Sequence, residues 1–122
     1  AFGFTLGDNK TLAAAARGAI PANVQALLSG HIHTFQALAF EDDLPVQIVS
    51  GHAGAELHTT APSSPLGLTI NGARVKSGAG ASGVFGYVLL ECAGEDWRLT
   101  NFEFSGRRRE SCLMRGRALD CE

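Results

Sequence analysis

The chain has 122 residues, of which 45% are hydrophobic, and its formal net charge at pH 7 is −2. This length is enough for one domain with a modest core, and the hydrophobic content argues against intrinsic disorder. The small net charge gives no general electrostatic reason to bind nucleic acid or an anionic membrane. We also expect no membrane span, because no apolar run approaches the roughly 20 residues that a spanning helix needs.

The N-terminal third combines a predicted helix with a predicted strand. Residues 11–17 are rich in alanine and predict a short helix, with Asp8 or Asn9 as its cap and Gly18 at its end. Residues 24–28 are apolar except for Gln25 and predict a buried strand. Ser29 and Gly30 end this run, and two histidines follow at alternate positions, His31 and His33.

The remainder of the chain predicts strands around one long loop. Residues 35–40 and 46–49 predict a hairpin with an acidic turn, and residues 84–122 predict an antiparallel meander. Residues 58–83 are rich in glycine and proline and predict a loop, with a short strand at 66–70 and a turn at Asn71–Gly72. We therefore predict a single α+β domain, mostly β, over residues 1–122, with successive parts 1–57, 58–83 and 84–122.

The cysteines leave two alternatives open. Cys112 and Cys121 flank a short segment that contains Gly116, so they fit either a disulfide across a hairpin or two free thiols. A disulfide would shift the expected location slightly towards the periplasm or the exterior of the cell.

The two histidines of the Gly-His-x-His segment are the sharpest chemical signal in the chain. Imidazole is the commonest metal ligand among side chains, and a glycine before it lets the backbone bend sharply. A catalytic zinc site needs at least three protein ligands, however, so His31 and His33 cannot complete one. His52 follows a second Ser-Gly pair and is the best third candidate, whereas His58 lies in the long loop and is expected to be solvated.

Residues 27–35, LLSGHIHTF, resemble the last metal-binding motif of the calcineurin-like metallophosphoesterases, including the purple acid phosphatase branch. The surrounding order is also similar: a helix, a strand, the motif, an amphipathic strand, and a strand that ends in a Ser-Gly-x-x-Gly loop. The similarity spans roughly residues 8–57 and is looser in the β-rich tail.

The resemblance implies a hydrolase of phosphate mono- or diesters with two divalent or trivalent metal ions, such as Mn, Fe or Zn. By the same resemblance, His31 would bind one metal and His33 the other. His52 stands where relatives often have asparagine, so the resemblance places it near the site and not among the ligands.

The earlier motifs of that family, Asp-x-His, Gly-Asp-x-x-Asp and Gly-Asn-His-Asp/Glu, are absent, and no histidine precedes His31. The chain is therefore expected to be the C-terminal part of a longer enzyme and to be inactive alone. It would supply one mainly antiparallel or mixed sheet of the family's α/β sandwich. That sheet would expose an apolar face to the missing N-terminal part or to a second copy, with these candidates on it: Val24, Ala26, Leu28, Ile48, Phe85 and Val88.

Two alternatives remain open at this point. The chain could be a small β-rich interaction domain whose histidines are not catalytic. It could also be a metal-binding module that uses His31, His33 and His52.

Overall fold

A computed structural model describes residue 15 and residues 18–54, 56–59 and 62–122. The predicted helix over residues 11–17 lies, except for Ala15, outside the described residues. The described part is mostly β, and its strands are β1 (Ala26–Ser29), β2 (Phe35–Phe40), β3 (Val46–Ser50), β4 (Thr69–Ile70), β5 (Ala73–Ala81), β6 (Gly86–Ala93), β7 (Asp96–Glu103), β8 (Arg108–Arg115) and β9 (Ala118–Cys121).

The first sheet has five strands in the order β1-β3-β2-β5-β4. β1 runs parallel to β3, with Ser29 opposite Val49, and the other neighbours in this sheet are antiparallel. The β2–β3 hairpin confirms the prediction from the alternating residues 35–40 and 46–49. Because β1 and β3 are parallel neighbours, the segments that follow them leave the sheet at the same end.

The second sheet is an antiparallel meander in the order β6-β7-β8-β9, which confirms the prediction for the last third of the chain. Cys112 on β8 lies opposite Cys121 on β9, and the two form a disulfide with an S–S distance of 2.11 Å. The choice between a disulfide and two thiols is thus settled for the disulfide. Cys92 is exposed and is not bonded to another cysteine.

The two sheets pack against each other around one shared core. Leu99, Cys112 and Leu119 of the second sheet are in one buried cluster with Phe35 and Ile48 of the first. The expectation of a single sheet is therefore wrong. The C-terminal meander folds back over the first sheet, because its inward positions are apolar and bury their surface there.

A nine-residue strand, β5, lies inside the segment that was predicted to be a loop. This corrects the interpretation of residues 58–83, of which residues 69–70 and 73–81 are strands. Glycine is rare in strands, but here it is required by close contacts. A Cβ at Gly78 would collide with the carbonyl oxygen of Ala37, and a Cβ at Gly80 would lie 2.7 Å from the carbonyl oxygen of Pro62.

β1 forms one edge of the first sheet and is more exposed than predicted. Ile48, on its neighbour β3, is 2% exposed, but Leu28 is 65% exposed and Leu27 is 41% exposed. The prediction of a buried strand over residues 24–28 is therefore wrong: the strand begins at Ala26, residues 24–26 are half-buried, and Leu27 and Leu28 are exposed, because only β3 pairs with β1 among the described residues. An apolar groove of about 190 Å³ runs beside this edge, and Leu28, Leu90 and Trp97 are among the residues that line it.

One arginine ties the start of β1 to two other parts of the chain. The guanidinium of Arg117, in the β8–β9 turn, donates to the carbonyl oxygens of Val24 at 3.0 Å and Asp43 at 2.6 Å. It also donates to Pro21 at 3.2 Å and Ala22 at 3.4 Å. Arg117 therefore helps to fix the direction in which β1 enters the sheet.

Among the described residues, no helix is long and apolar enough to cross a membrane.

Candidate functional site

The Gly-His-x-His segment forms a tight bend directly after β1. The amide of Ile32 donates to the carbonyl of Gly30 at 2.9 Å, and the amide of Thr34 donates to the carbonyl of Ile32 at 2.8 Å. His31, the central residue of the first of these turns, has a φ of 71°. An i→i+2 bond around a residue with such a φ is the rare and strained form of the γ-turn. The bend leaves the His31 side chain exposed and the His33 side chain half-buried.

A second Ser-Gly-His segment, which follows β3, supports this bend. The amide of Gly51 donates to the carbonyl of Thr34 at 3.1 Å. A Cβ at Gly51 would overlap the carbonyl oxygen of Ile32, so only glycine fits there without a shift of the backbone. The hydroxyl of Thr34 in turn donates to the carbonyl of Ala81, at the end of β5, at 2.5 Å. The bend is thus held by the loop after β3 and by the end of β5, the two strands on either side of β2.

The ring of His52, the histidine of that second segment, lies at the junction of the two sheets, beside Phe35 of the first sheet and Asn101 of the second. It is 3% exposed, and its Nε2 lies 2.9 Å from Oδ1 of Asn101 on β7. The amide nitrogen of Asn101 donates to Oε2 of Glu110 at 2.8 Å. Since the carboxylate needs a donor from Asn101, the Asn101 oxygen faces the imidazole, and His52 donates its Nε2 proton.

The other nitrogen of His52, Nδ1, is buried without a hydrogen-bond partner in the described part of the chain. Burial lowers the pKa of His52, and it outweighs the Asn101 hydrogen bond and the charge of Glu110, which both raise it. The neutral ring is therefore favoured. His52 is part of a buried hydrogen-bonded chain across the sheets, and its Nε2 is not available to a metal ion.

His58 joins His33, contrary to the expectation that it is solvated. The amide of His33 donates to Nδ1 of His58 at 3.1 Å, and the amide of His58 donates to the carbonyl of His33 at 3.0 Å. The two rings are stacked, with 5.4 Å between their centroids and 24° between their planes. The expectation failed because a contact between two loops 25 residues apart leaves no periodic pattern in the sequence.

The structure therefore brings together two of the sequence-predicted site residues and separates the third. His31 and His33 share one bend, whereas the ring of His52 is buried and hydrogen-bonded to Asn101. Sequence reasoning missed Asn101 and Glu110, although one signal was present: Asn101 is a polar residue on the same face of β7 as the buried Leu99. Within the described ranges, no three His, Cys, Asp or Glu side chains form a group that could hold a metal ion.

The chemistry open to this arrangement is limited by the few metal-ligating side chains it contains. His31 offers an exposed imidazole, and His33 a half-buried one, on a backbone that is fixed by several hydrogen bonds. Two imidazoles suit zinc, iron or manganese but bind them weakly without further ligands. The acidic turn at residues 41–43 lies at the far end of β2, as predicted, and supplies no carboxylate here. Comparison with known proteins adds no further information: no family model, no curated protein and no solved structure matches the chain.

Proposed function

We propose that the chain is the C-terminal part of a calcineurin-like metallophosphoesterase domain and that the complete domain hydrolyses phosphate mono- or diesters. In this proposal the two sheets and an N-terminal helix over residues 11–17 belong to the family's α/β sandwich. His31 and His33 each bind one ion of a metal pair, and His52 supports the backbone around them.

The observation that carries the proposal is the strained bend at His31. A residue with a side chain at such a φ costs of the order of 1–3 kcal/mol and persists only where the surroundings enforce it, most often at functional sites. Here the amide of Gly51, in the loop after β3, and the carbonyl of Ala81, at the end of β5, hold the bend through hydrogen bonds to Thr34. The His31 side chain is exposed, so packing does not explain why a histidine occupies this position.

The open edge of β1 supports the idea that further chain completes the domain. Folded proteins usually protect edge strands with charge, bulges or covering segments. β1 instead presents Leu27 and Leu28 beside an apolar groove, and no described segment covers them. We propose that the missing N-terminal part of the domain covers this edge, and that a homodimer through the same edge forms when that part is absent.

The two histidines supply only part of the ligands that a pair of metal ions needs. A bound pair of metal ions supplies charge stabilisation for the phosphoryl group and activates water near neutral pH. His31 and His33 would hold one ion each, and the remaining ligands, including a bridging carboxylate, must come from residues outside this chain. We therefore expect the chain to bind metal weakly and to have no phosphatase activity alone.

The test is a zinc titration of the 122-residue chain by calorimetry, beside the His31→Ala variant. We expect binding no tighter than roughly millimolar, and the His31→Ala variant should lose the ion that His31 holds, because a single imidazole leaves most of each coordination sphere to water. Purified chain should not hydrolyse p-nitrophenyl phosphate, and turnover would contradict the proposed division of the domain. The reading frame upstream of Ala1 should encode the Asp-x-His and Gly-Asn-His motifs; a frame without them would rule the phosphoesterase proposal out.

The alternative function is that of a small β-rich metal-binding or interaction domain. It is favoured by the buried core that the two sheets already share within the described residues. Micromolar or tighter zinc binding that depends on His31 would select this alternative.

A further inference from the structure

The second sheet has an outer face, which points away from the first sheet, and this face carries a cavity of about 340 Å³. Leu99 and Cys112 point into the core between the sheets, so their neighbours along β7 and β8 point outward. A register shift in the β7–β8 pairing places Arg108 opposite Phe102 on this outer face. The residues that line the cavity come from β7, β8, β9 and the position after β9, and they include Arg98, Arg108, Ser111, Leu113, Asp120 and Glu122.

The cavity brings together charged side chains that have no ion-pair partner. Among the described arginines, only Arg98 and Arg108 form no ion pair, and both line the cavity. Asp120 and Glu122, which also line it, are likewise without an ion pair in the described part of the chain. The two guanidinium groups and the two carboxylates cancel in charge. The cavity therefore offers hydrogen-bond donors and acceptors without a net field that would attract an ion of either sign.

Hydroxyl groups and an aromatic pair complete this face. Thr100 and Ser111 are partners across β7 and β8, and they are only 4% and 9% exposed although they point outward. Such low exposure on an outer face indicates that the sheet is concave there. Beside the cavity, the ring of Phe102 stacks on that of Tyr87 on β6, with 5.3 Å between the centroids and 17° between the planes. Tyr87 is 47% exposed, so the aromatic pair is open to solvent on one side.

We propose that the outer face of the second sheet binds a neutral oligosaccharide. Sugar hydroxyls both donate and accept hydrogen bonds, so they match a lining of guanidinium, carboxylate and hydroxyl groups. The apolar C–H face of a sugar ring packs against an exposed aromatic ring such as that of Tyr87. Three strand spacings separate β6 from β9, roughly 14 Å in all, which suits several linked sugars better than one. A phosphate group would be attracted by the two arginines but repelled by the two carboxylates, so an anion fits this lining less well.

The experiment is an NMR titration of the 122-residue chain with three neutral probes, cellohexaose, maltohexaose and chitohexaose, and with AMP as an anionic aromatic probe. We expect at least one hexasaccharide to shift the backbone amides around the cavity. The dissociation constant should change less than about twofold between low and high salt, because a neutral ligand releases no charge interaction for salt to screen. AMP should leave the same amides unchanged.

Four variants locate the contact, and urea unfolding of each one checks that it folds. Tyr87→Ala should weaken binding about tenfold, because it removes the apolar surface for the sugar ring, whereas Tyr87→Phe should bind as the wild type does. Arg108→Ala should also weaken binding, because it removes donors from the cavity. Arg107→Ala is its matched control, since Arg107 is the adjacent exposed arginine, pairs with Glu103 at 3.8 Å and is not among the lining residues.

Several outcomes would overturn the inference. The first is that none of the three hexasaccharides shifts these amides at millimolar concentrations. The second is that AMP shifts them in a salt-dependent way, because the cavity would then select an anion. The third is that Tyr87→Ala binds as tightly as the wild type, or that Arg107→Ala loses as much affinity as Arg108→Ala. None of these results depends on a metal ion at His31, so the proposed function stands or fails separately.

Discussion

The two Ser-Gly-His segments of this chain have the same three residues and leave parallel neighbouring strands at the same end of the sheet, yet their histidines are placed in opposite ways. His31 is exposed on a strained turn, and His52 is 3% exposed and hydrogen-bonded to Asn101. The difference follows from the strands that carry them. β1 is an edge strand, whereas β3 lies between β1 and β2, where the second sheet closes over its end.

The comparison shows how one segment supports the other. The inner Gly51-His52 segment is anchored in the junction between the sheets, and its glycine backbone then holds the outer bend at residues 30–34. A tripeptide of this kind therefore does not define a site by itself. Its neighbours decide whether the histidine faces solvent or the protein interior.

The largest effect is expected at the glycine where the two segments touch. Gly51→Ala would force a Cβ into the carbonyl oxygen of Ile32 and should lower the free energy of unfolding by about 3 kcal/mol, near the upper end for overpacking. Gly30→Ala is the matched control in the outer segment, because a Cβ there would lie 3.8 Å from the nearest described atom, the carbonyl oxygen of Ser50. Urea denaturation of both variants measures the difference, and similar losses would show that the close approach at Gly51 is not specific.

The next largest loss of stability is expected when His52 loses its hydrogen-bond partner. Asn101→Leu removes the partner of His52 and leaves a buried imidazole N–H without an acceptor, which should cost about 2 kcal/mol. Glu110→Gln is the control, because the glutamine oxygen can still accept from the Asn101 amide. The stability of each variant is measured by urea denaturation, and the ring signals of His31 should not move in either one. A shift of His31 on Asn101→Leu would show that the two segments are more tightly coupled than their hydrogen bonds suggest.

Much of this architecture could be predicted from local patterns. The alternating or apolar runs at residues 35–40, 46–49 and 84–122 identified β2, β3 and the meander. β5 was missed because Gly78 and Gly80 follow from contacts with Ala37 and Pro62, which only the folded chain reveals.

The candidate site could likewise be predicted only where its residues are close together in the sequence. His31 and His33 are neighbours in sequence, so their spacing was informative. The partners of His33 and His52 come from positions 25 and 49 residues away, and pairing over such separations depends on how the sheets pack. The polar Asn101 on an inward face was the one local sign of it.

A smaller and opposite effect is expected at the outer histidine. His31→Gly should raise the free energy of unfolding by about 1 kcal/mol, because glycine adopts a φ of 71° without the strain that a side chain adds there. Asn71→Gly is the control at a turn with a φ of 50°, and its gain should be smaller, since asparagine tolerates this region well. The same His31→Gly variant should lose the zinc ion that His31 is proposed to hold. A loss of stability would indicate that the His31 side chain contributes to the fold, which would weaken the argument that it is kept for function.

The smallest effect is a pH dependence of stability that His52 should contribute. Burial lowers the pKa of His52 in the folded chain relative to its ordinary value of 6.5. The unfolded chain therefore binds the proton more readily, and the stability that His52 contributes is complete above about pH 6.5 and is lost as the pH falls from there towards the lower folded pKa. His52→Gln keeps a donor for Asn101 without a titrating ring, so its stability should vary less between pH 7 and pH 5. Urea denaturation across this range, compared with His31→Gln, measures the contribution. If His31→Gln flattens the profile and His52→Gln does not, the exposed histidine is the one linked to folding, and the assignment of inner and outer roles must be reversed.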